Sequence, residues 1–339
     1  MDIQKEIIRI TSEYFEDNLD YHKLSIASKE YKLLLNKVCG QNIDIEKGRN
    51  DIGFDNGWAL GTFWAALCLD DLIRTRQFIR GINKAIQEKI KKQKSLHILY
   101  AGTGPFATLI LPIIFRYSKQ KIKYTFLEIN PLSFEILQGI ISKLGLKDYN
   151  IKLEREDATK YQIDFNDKPD IIISETMQNA LAKEQQVSIF LNLMNQVNGD
   201  TIFIPEKIEL SIGLKKAGIP EEKTQIKHYQ KEEKIFDLSK EAMFHLNPIE
   251  SKLNGEILFD KRQTTLDEKK IRGFSQLLIL TEIQVYKDEK IGINKSGLTT
   301  PKIIKDIPSD LKGSIIINTQ YKISAQPELE YIITLPNPN

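Results

Sequence analysis

Apolar positions follow three different periods along the 339 residues. Over residues 1–92 they recur at helical spacing: Ile3, Ile7, Ile8 and Ile10, then Tyr14, and a second stripe from Leu24 to Val38. That spacing is the mark of helices with one buried face. Gly57 to Asp71 is apolar nearly all round, which predicts a helix buried on several sides with Trp58, Phe63 and Trp64 in the core. Trp58 and Trp64 can also roof a ligand pocket. Leu72 to Phe78 continues a helix with a basic face through Arg74 and Arg76.

Between residues 93 and 205 the pattern becomes short apolar runs separated by turns and helices. Leu96–Tyr100, Lys123–Glu128, Ile151–Glu154 and Asp170–Ile173 read as buried strands. Ala107–Phe115, Ser133–Leu144 and Glu184–Val197 read as the helices between and after them, the second closed by Gly145. Strand alternating with helix implies an α/β parallel sheet with ligands at the strands' C-terminal edge. From Glu206 onward the period is two, in Glu206–Ile212, Gln276–Tyr286, Gly313–Ile323 and Glu330–Leu335, so residues 206–339 read as antiparallel β. Pro220 to Leu246 is a charged insertion among those strands.

Composition removes several function classes. Lys plus Arg (48) and Asp plus Glu (46) nearly cancel, leaving a net charge of +2, which gives no electrostatic case for nucleic acid or an anionic membrane. Pro112 interrupts the longest apolar run, which is far too short to cross a bilayer. Cys39 and Cys68 form no metal spacing; with no signal-peptide pattern they read as reduced thiols of a cytoplasmic protein. His228 and His245 read as surface or interface residues, and no metal constellation is visible.

The candidate chemistry clusters at the expected strand ends. Gly102-Thr103-Gly104 follows the first strand, where glycines let backbone approach a ligand and the following helix start favours negative charge. The turn lacks the third glycine of the dinucleotide fingerprint, which disfavours NAD. Glu128, ending the second strand, is placed to bind ribose hydroxyls, and Asp157 with Ala158, ending the third, to receive an adenine. S-adenosylmethionine fits this set better than NAD: it has no pyrophosphate, and its carboxylate needs a cation, which Arg74 supplies bidentately. The bland readings are a packing turn, a surface acid and a surface ion pair. After the fourth strand, Glu175 and Glu184 stand nine positions apart with Met177 and Leu181 as apolar anchors between them. Two converging carboxylates suit a cationic acceptor; singly, the acids also read as a solvated strand end and a helix-start acid.

These residues resemble the protein arginine methyltransferase family. Its double-glutamate loop, Ser-Glu-x-Met-Gly-x-x-Leu-x-x-Glu, is matched by Ser174, Glu175, Met177, Leu181 and Glu184, with Gln178 in the glycine's place. Asp71-Leu72-Ile73-Arg74-Thr75 is similar to the family's Asp-x-x-Arg-Thr helix, and Ala101 to Gly104, Glu128 and Ile204-Pro205 fall in the family's order. The resemblance covers roughly residues 50–339 and suggests a bacterial member or near relative. It implies a Rossmann-like class I methyltransferase sheet over residues 93–205, behind an N-terminal helical region with a cofactor-lid helix (1–92) and before a β-barrel-like substrate domain (206–339). Residues 220–246 would be a dimerisation arm, and the protein a homodimer. S-adenosylmethionine would be held by Arg74, Ala101, Gly102, Thr103, Gly104, Glu128, Asp157 and Ala158 and leave as S-adenosylhomocysteine. Glu175 and Glu184 would clamp a guanidinium, with Met177, Trp58, Trp64 and Thr300 contacting it. The family's Thr-His-Trp wall is absent: Gly297 to Lys302 stands there without His or Trp, and the family's N-terminal tyrosine motif is not evident. The acceptor is thus free arginine, another small guanidine, or a peptide or protein arginine. The rival readings are a C- or O-methyltransferase of another metabolite, a non-catalytic methyltransferase-like binding protein and, more distantly, a nicotinamide oxidoreductase.

Overall fold

The structure is a computed structural model that describes residues 3–218, 228–244, 249–250 (backbone only) and 255–336. Its first ninety residues are largely helical. Helix Tyr21–Cys39 begins at Asp20, whose side chain accepts from the backbone N–H groups of His22 and Lys23, and ends at Gly40 in the left-handed region at φ 70°. Those are ordinary start and stop devices. The stripe Ile7, Ile10, Tyr14 is buried.

Gly57–Asp71 departs from the expected single helix. It begins as a hairpin of β1 (Ile52–Phe54) and β2 (Gly57–Ala59), followed by a short helix Thr62–Leu67 and a 3-10 turn, Cys68–Asp70. Gly57 adopts φ 132°, and Gly61 lies so close to the backbone of Gly48 and Arg49 that a Cβ there would meet it at 2.8 Å. These two glycines break the helix that composition alone favours. In consequence Trp58 (36% exposed) and Trp64 (42% exposed) sit outside the core. Helix Leu72–Ile90 then runs nineteen residues from its Asp71 cap.

Strands β3 (Leu96–Ala101), β4 (Ile122–Leu127), β5 (Ile151–Glu154), β6 (Ile171–Ser174) and β7 (Ile202–Ile204) form one parallel sheet in the order β5-β4-β3-β6-β7. The order reverses at β3, so the crevice above β3 and β6 is the switch point where open α/β sheets bind ligands. Every residue of β3 and β6 is buried, as expected for strands covered on both faces. The apolar run after the glycine turn yields only the short helix Leu111–Ile114, because Pro112 and the positive φ of Ala107 (44°) confine it. Helix Pro131–Lys143, capped by Asn130, and helix Gln186–Met194 match the expected positions within three residues.

The last third forms two antiparallel five-stranded sheets. One contains β8 (Lys207–Lys216), β9 (Tyr229–Ser239), β13 (Phe274–Tyr286), β14 (Glu289–Ile291) and β15 (Lys302–Asp306). The other contains β10 (Ile249–Glu250), β11 (Ile257–Leu258), β12 (Arg262–Leu266), β16 (Ile315–Ile323) and β17 (Glu328–Thr334). Of the insertion 220–246, residues 229–239 are the edge strand paired with β8, and Lys240–Phe244 is a short helix. The remainder, 220–227 and 245–246, lies outside the described residues. Among the described residues no helix is long and apolar enough to cross a membrane.

Candidate active site

A cavity of about 420 Å³ lies over the C-terminal ends of β3, β4 and β6. Its floor begins at the turn after β3, where Gly102 and Gly104 take φ 73° and 62°. A Cβ on Gly102 would meet Thr176 Cγ2 at 2.3 Å, so the turn and the segment after β6 share a contact that only glycine permits. The Gly104 N–H donates to Glu128 Oε2 at 2.7 Å and the Asn130 N–H to Oε1 at 2.8 Å. Both bonds tie the end of β4 to its neighbours. Burial nevertheless pushes the Glu128 carboxyl up to about 7, against the lowering effect of those backbone donors. Thr103 is also buried here, and its Oγ1 has no hydrogen-bond partner in the structure.

The second half of the cavity is the segment from Glu175 to Glu184. Glu175 continues directly from β6, buried, with Oε2 in an ion pair with Arg74 and Oε1 without a partner. Arg74 comes from the first turn of helix Leu72–Ile90, its side chain 13% exposed, and is a cavity-lining residue. Glu184 is 6% exposed. Burial pushes it up to about 7, Arg74 and a hydrogen bond from Gln178 counteract this, and Asp51 adds to it.

Local bonds give this loop a single 3-10 turn, with the Leu181 N–H donating to the Gln178 carbonyl at 3.1 Å and the Glu184 N–H to the Ala182 carbonyl at 2.8 Å. Ala180, Leu181 and Lys183 all sit at positive φ (57°, 55° and 65°) without being glycine, a strain that surrounding contacts must maintain. Those contacts come from afar. Tyr321 Oη donates to the Leu181 carbonyl at 2.6 Å, and the Lys183 N–H to the Pro327 carbonyl at 2.7 Å. Asn179 Nδ2 donates to the Thr300 carbonyl at 2.5 Å. On the opposite side the Trp58 N–H donates to the Lys183 carbonyl at 2.9 Å, and Trp58 and Glu184 form an isolated parallel bridge.

Of the residues singled out from sequence, Arg74, Gly102, Thr103, Gly104, Glu128, Ala158, Glu175, Met177, Glu184 and Trp58 line this one cavity. Ala101 lies beneath it, fully buried at the end of β3. Three others are placed elsewhere. Asp157 turns back on its own loop, accepting from the Thr159 N–H (2.8 Å) and Oγ1 (2.7 Å), and its neighbour Glu156 lines the cavity instead. Trp64 lies against Arg49, its Nε1 donating to the Arg49 carbonyl at 2.9 Å. Thr300 is exposed and offers the loop only its carbonyl, while Gly297 and Leu298 reach the cavity. Gln178, Asn179, Tyr100 and Cys68 also line it without having been singled out as site residues; for Gln178 the signal was its departure from glycine.

Among the described residues four carboxyl groups, Glu128, Glu156, Glu175 and Glu184, line the cavity with one cation, Arg74. Where these groups are ionised the lining favours a cationic guest, while burial itself opposes the ionisation of Glu128 and Glu184. Among the described residues no His, Cys, Asp and Glu cluster is arranged to hold a metal ion.

Comparison with known proteins adds the following. No family model matches the chain. An uncharacterised protein of Methanocaldococcus jannaschii is 25% identical over 267 residues, covering 76% of this chain and 92% of its own. Among solved structures, the Trypanosoma brucei PRMT1 enzyme–prozyme heterotetrameric complex with AdoHcy is similar over 78% of this chain and 96% of its own, at 14% identity and a TM-score of 0.46. Arabidopsis thaliana protein arginine methyltransferase 10, in an open conformation, is similar over 78% and 95%, at 12% identity and a TM-score of 0.48. At those scores the two structures carry no argument about activity.

Proposed function

We propose that the chain is an S-adenosylmethionine-dependent N-methyltransferase whose acceptor is a guanidinium group. The observation that carries the reading is the convergence of Glu175 and Glu184, two buried carboxylates, on the cavity that also holds the glycine turn, Glu128 and Arg74. The residues fit the cofactor. Glu128 has lone pairs beyond its two backbone bonds for ribose hydroxyls, Thr103 Oγ1 is a buried hydroxyl awaiting a partner, and Arg74 is the cation for a carboxylate. Glu156 replaces Asp157 as the acid for an exocyclic amine. When bound, S-adenosylmethionine supplies a methyl group activated on a sulfonium.

The chain's own residues then have distinct tasks. Guanidinium is protonated in water at any physiological pH, so its attack needs alignment more than a strong base. Glu175 and Glu184 hold it by charge-assisted hydrogen bonds and draw its delocalised charge toward the clamped N–H groups, leaving one terminal nitrogen free to react. That nitrogen gives up one proton, and Glu184, with its carboxyl near neutrality, is suited to accept it and pass it to solvent. Arg74 is ion-paired with Glu175, and a cofactor carboxylate would compete for that cation.

Mass spectrometry after incubation with S-adenosylmethionine and parallel pools of free guanidines, amino acids and arginine-rich peptides tests the reading. Methyl transfer to a guanidine is the expected result. Transfer to none of them, or unchanged transfer in Glu175→Gln, overturns it. A homodimer built through residues 220–246 is part of the same proposal and is checked by light scattering at micromolar concentration.

A further inference from the structure

Gln186 opens helix Gln186–Met194, two residues beyond Glu184, and is buried. It does not line the cavity, although Thr176 and Gln185 do. Its side-chain Oε1 reaches back across the neck of the acid loop. It accepts from the Thr176 N–H at 3.0 Å, from Thr176 Oγ1 at 3.1 Å and from Ser174 Oγ at 3.4 Å. A backbone N–H can only donate, so the amide's oxygen is the end that faces the neck. Ser174 is the last residue of β6 and pairs with Ala101 of β3. Thr176 in turn lies so close to Gly102 that a Cβ on that glycine would meet its Cγ2 at 2.3 Å. The two residues that flank Glu175 are therefore tied to the side chain that follows Glu184, and the tie is anchored on the sheet. Distant strands hold the arch of the loop; this one oxygen closes its neck.

We propose that Gln186 is a positioning residue that sets the separation of Glu175 and Glu184. The inference rests on the guanidinium reading of the same cavity. Glu175 sits between the two tied residues and Glu184 two positions before the tie, so the acids cannot drift apart without stretching these bonds. Deleting the oxygen leaves a backbone N–H and two hydroxyls without their acceptor, and the neck must open or repack to satisfy them. A guanidinium offers its N–H groups in one rigid plane, so two acids at the wrong spacing hold only one edge of it. Misplacement on that scale costs rate even when every reacting group is present.

The test is Gln186→Met, which keeps the length of the side chain and removes the oxygen. The probes are L-arginine and a glycine-flanked arginine peptide. Methyl transfer to whichever the wild type methylates is expected to fall about 30-fold or more, with S-adenosylhomocysteine affinity within about threefold by calorimetry, which also shows that the variant is folded. Two double-mutant cycles separate positioning from a general structural role. In a Glu175→Gln background the same substitution should cost transfer less than about threefold, since no pair of charges is left to align. Gly102→Ala should weaken S-adenosylhomocysteine binding at least about threefold less in Gln186→Met than in the wild type, because a released Thr176 can move away from the added Cβ. Additive losses in either cycle, or undiminished transfer by Gln186→Met, overturn the inference while leaving the guanidinium reading intact. Failure of a wild-type protein that binds S-adenosylhomocysteine to methylate any guanidine overturns the guanidinium reading and this inference together. Should Gln186→Met lose S-adenosylhomocysteine binding, Thr176→Val carries the test, since it removes one of the three bonds and keeps the methyl that faces Gly102. Its transfer is expected to fall about 3- to 10-fold, and an unchanged rate overturns the inference.

Discussion

The two halves of the cavity are built in opposite ways. The half made by the glycine turn and Glu128 is assembled from neighbouring strand ends, and its decisive bonds are short ones from backbone N–H groups to a carboxylate, such as Gly104 N–H to Glu128 Oε2. The half from Glu175 to Glu184 contains a run of left-handed residues held by a tyrosine on β16, a carbonyl at Pro327, the loop before β15 and the hairpin at Trp58. One half follows from the sheet; the other needs the whole chain to be folded first. On the proposed assignment the first half binds the cofactor and the second the acceptor, so the cofactor half should tolerate distant damage that disables the acceptor half.

The sharpest way to separate them is at the acids. Glu184→Gln is expected to lower methyl transfer by about 100-fold or more, the scale of losing a preorganised charged contact, with S-adenosylhomocysteine affinity changed less than about threefold by calorimetry. A comparable loss of cofactor affinity would show that the halves are not separable.

Acid pH acts on both halves in the same direction. Glu128 and Glu184 are pushed up to about 7 from an ordinary 4.5. The folded protein therefore keeps these protons after the unfolded chain has released them. Stability from this source is greatest below pH 4.5, declines as pH rises toward 7, and levels off above it, by on the order of 3 kcal/mol per acid. Guanidine binding, which needs ionised Glu184, should tighten over the same interval. Denaturant titrations and calorimetry between pH 5 and 8 would show the two curves running in opposite senses.

Gly102→Ala joins the halves, because its Cβ would press on Thr176 Cγ2. It is expected to weaken S-adenosylhomocysteine binding by about tenfold or more, through positive φ and the clash together. Gly104→Ala shares the positive φ, but its Cβ would meet nothing nearer than Ala65 Cβ at 3.6 Å, so its loss should be smaller. Equal losses would mean that backbone conformation alone sets the turn.

The smallest effect belongs to Tyr321→Phe. It removes the hydroxyl that holds the Leu181 carbonyl, and should lower stability by about 1 kcal/mol and guanidine affinity a few-fold, with cofactor affinity unchanged.

The same division explains what could be read in advance. Strand ends and glycine turns are local, so Gly102, Gly104 and Glu128 stand where their order along the chain places them. The strand–helix alternation likewise carried the sheet. Trp64 and Asp157 were misplaced by local cues, apolar spacing for one and strand-end position for the other. Their settings depend on Gly61 packing against Gly48 and Arg49 and on Thr159 competing for a carboxylate. Tyr321 and Pro327 left no trace near the loop they hold, because their pairing spans some 140 residues.

Helix Leu72–Ile90 carries Arg74 at one end, yet its remaining arginines face the start of the chain. Arg76 and Arg80 donate to the carbonyls of Glu16, Asp17 and Phe15, and Arg80 also pairs with Asp17 and Glu289. Shortening the protein by its first twenty residues would thus strip partners from two partly buried guanidinium groups, at a distance from any ligand. A trimmed protein is expected to hold helix Leu72–Ile90, and Arg74 with it, less firmly, even with every residue of the cavity still present.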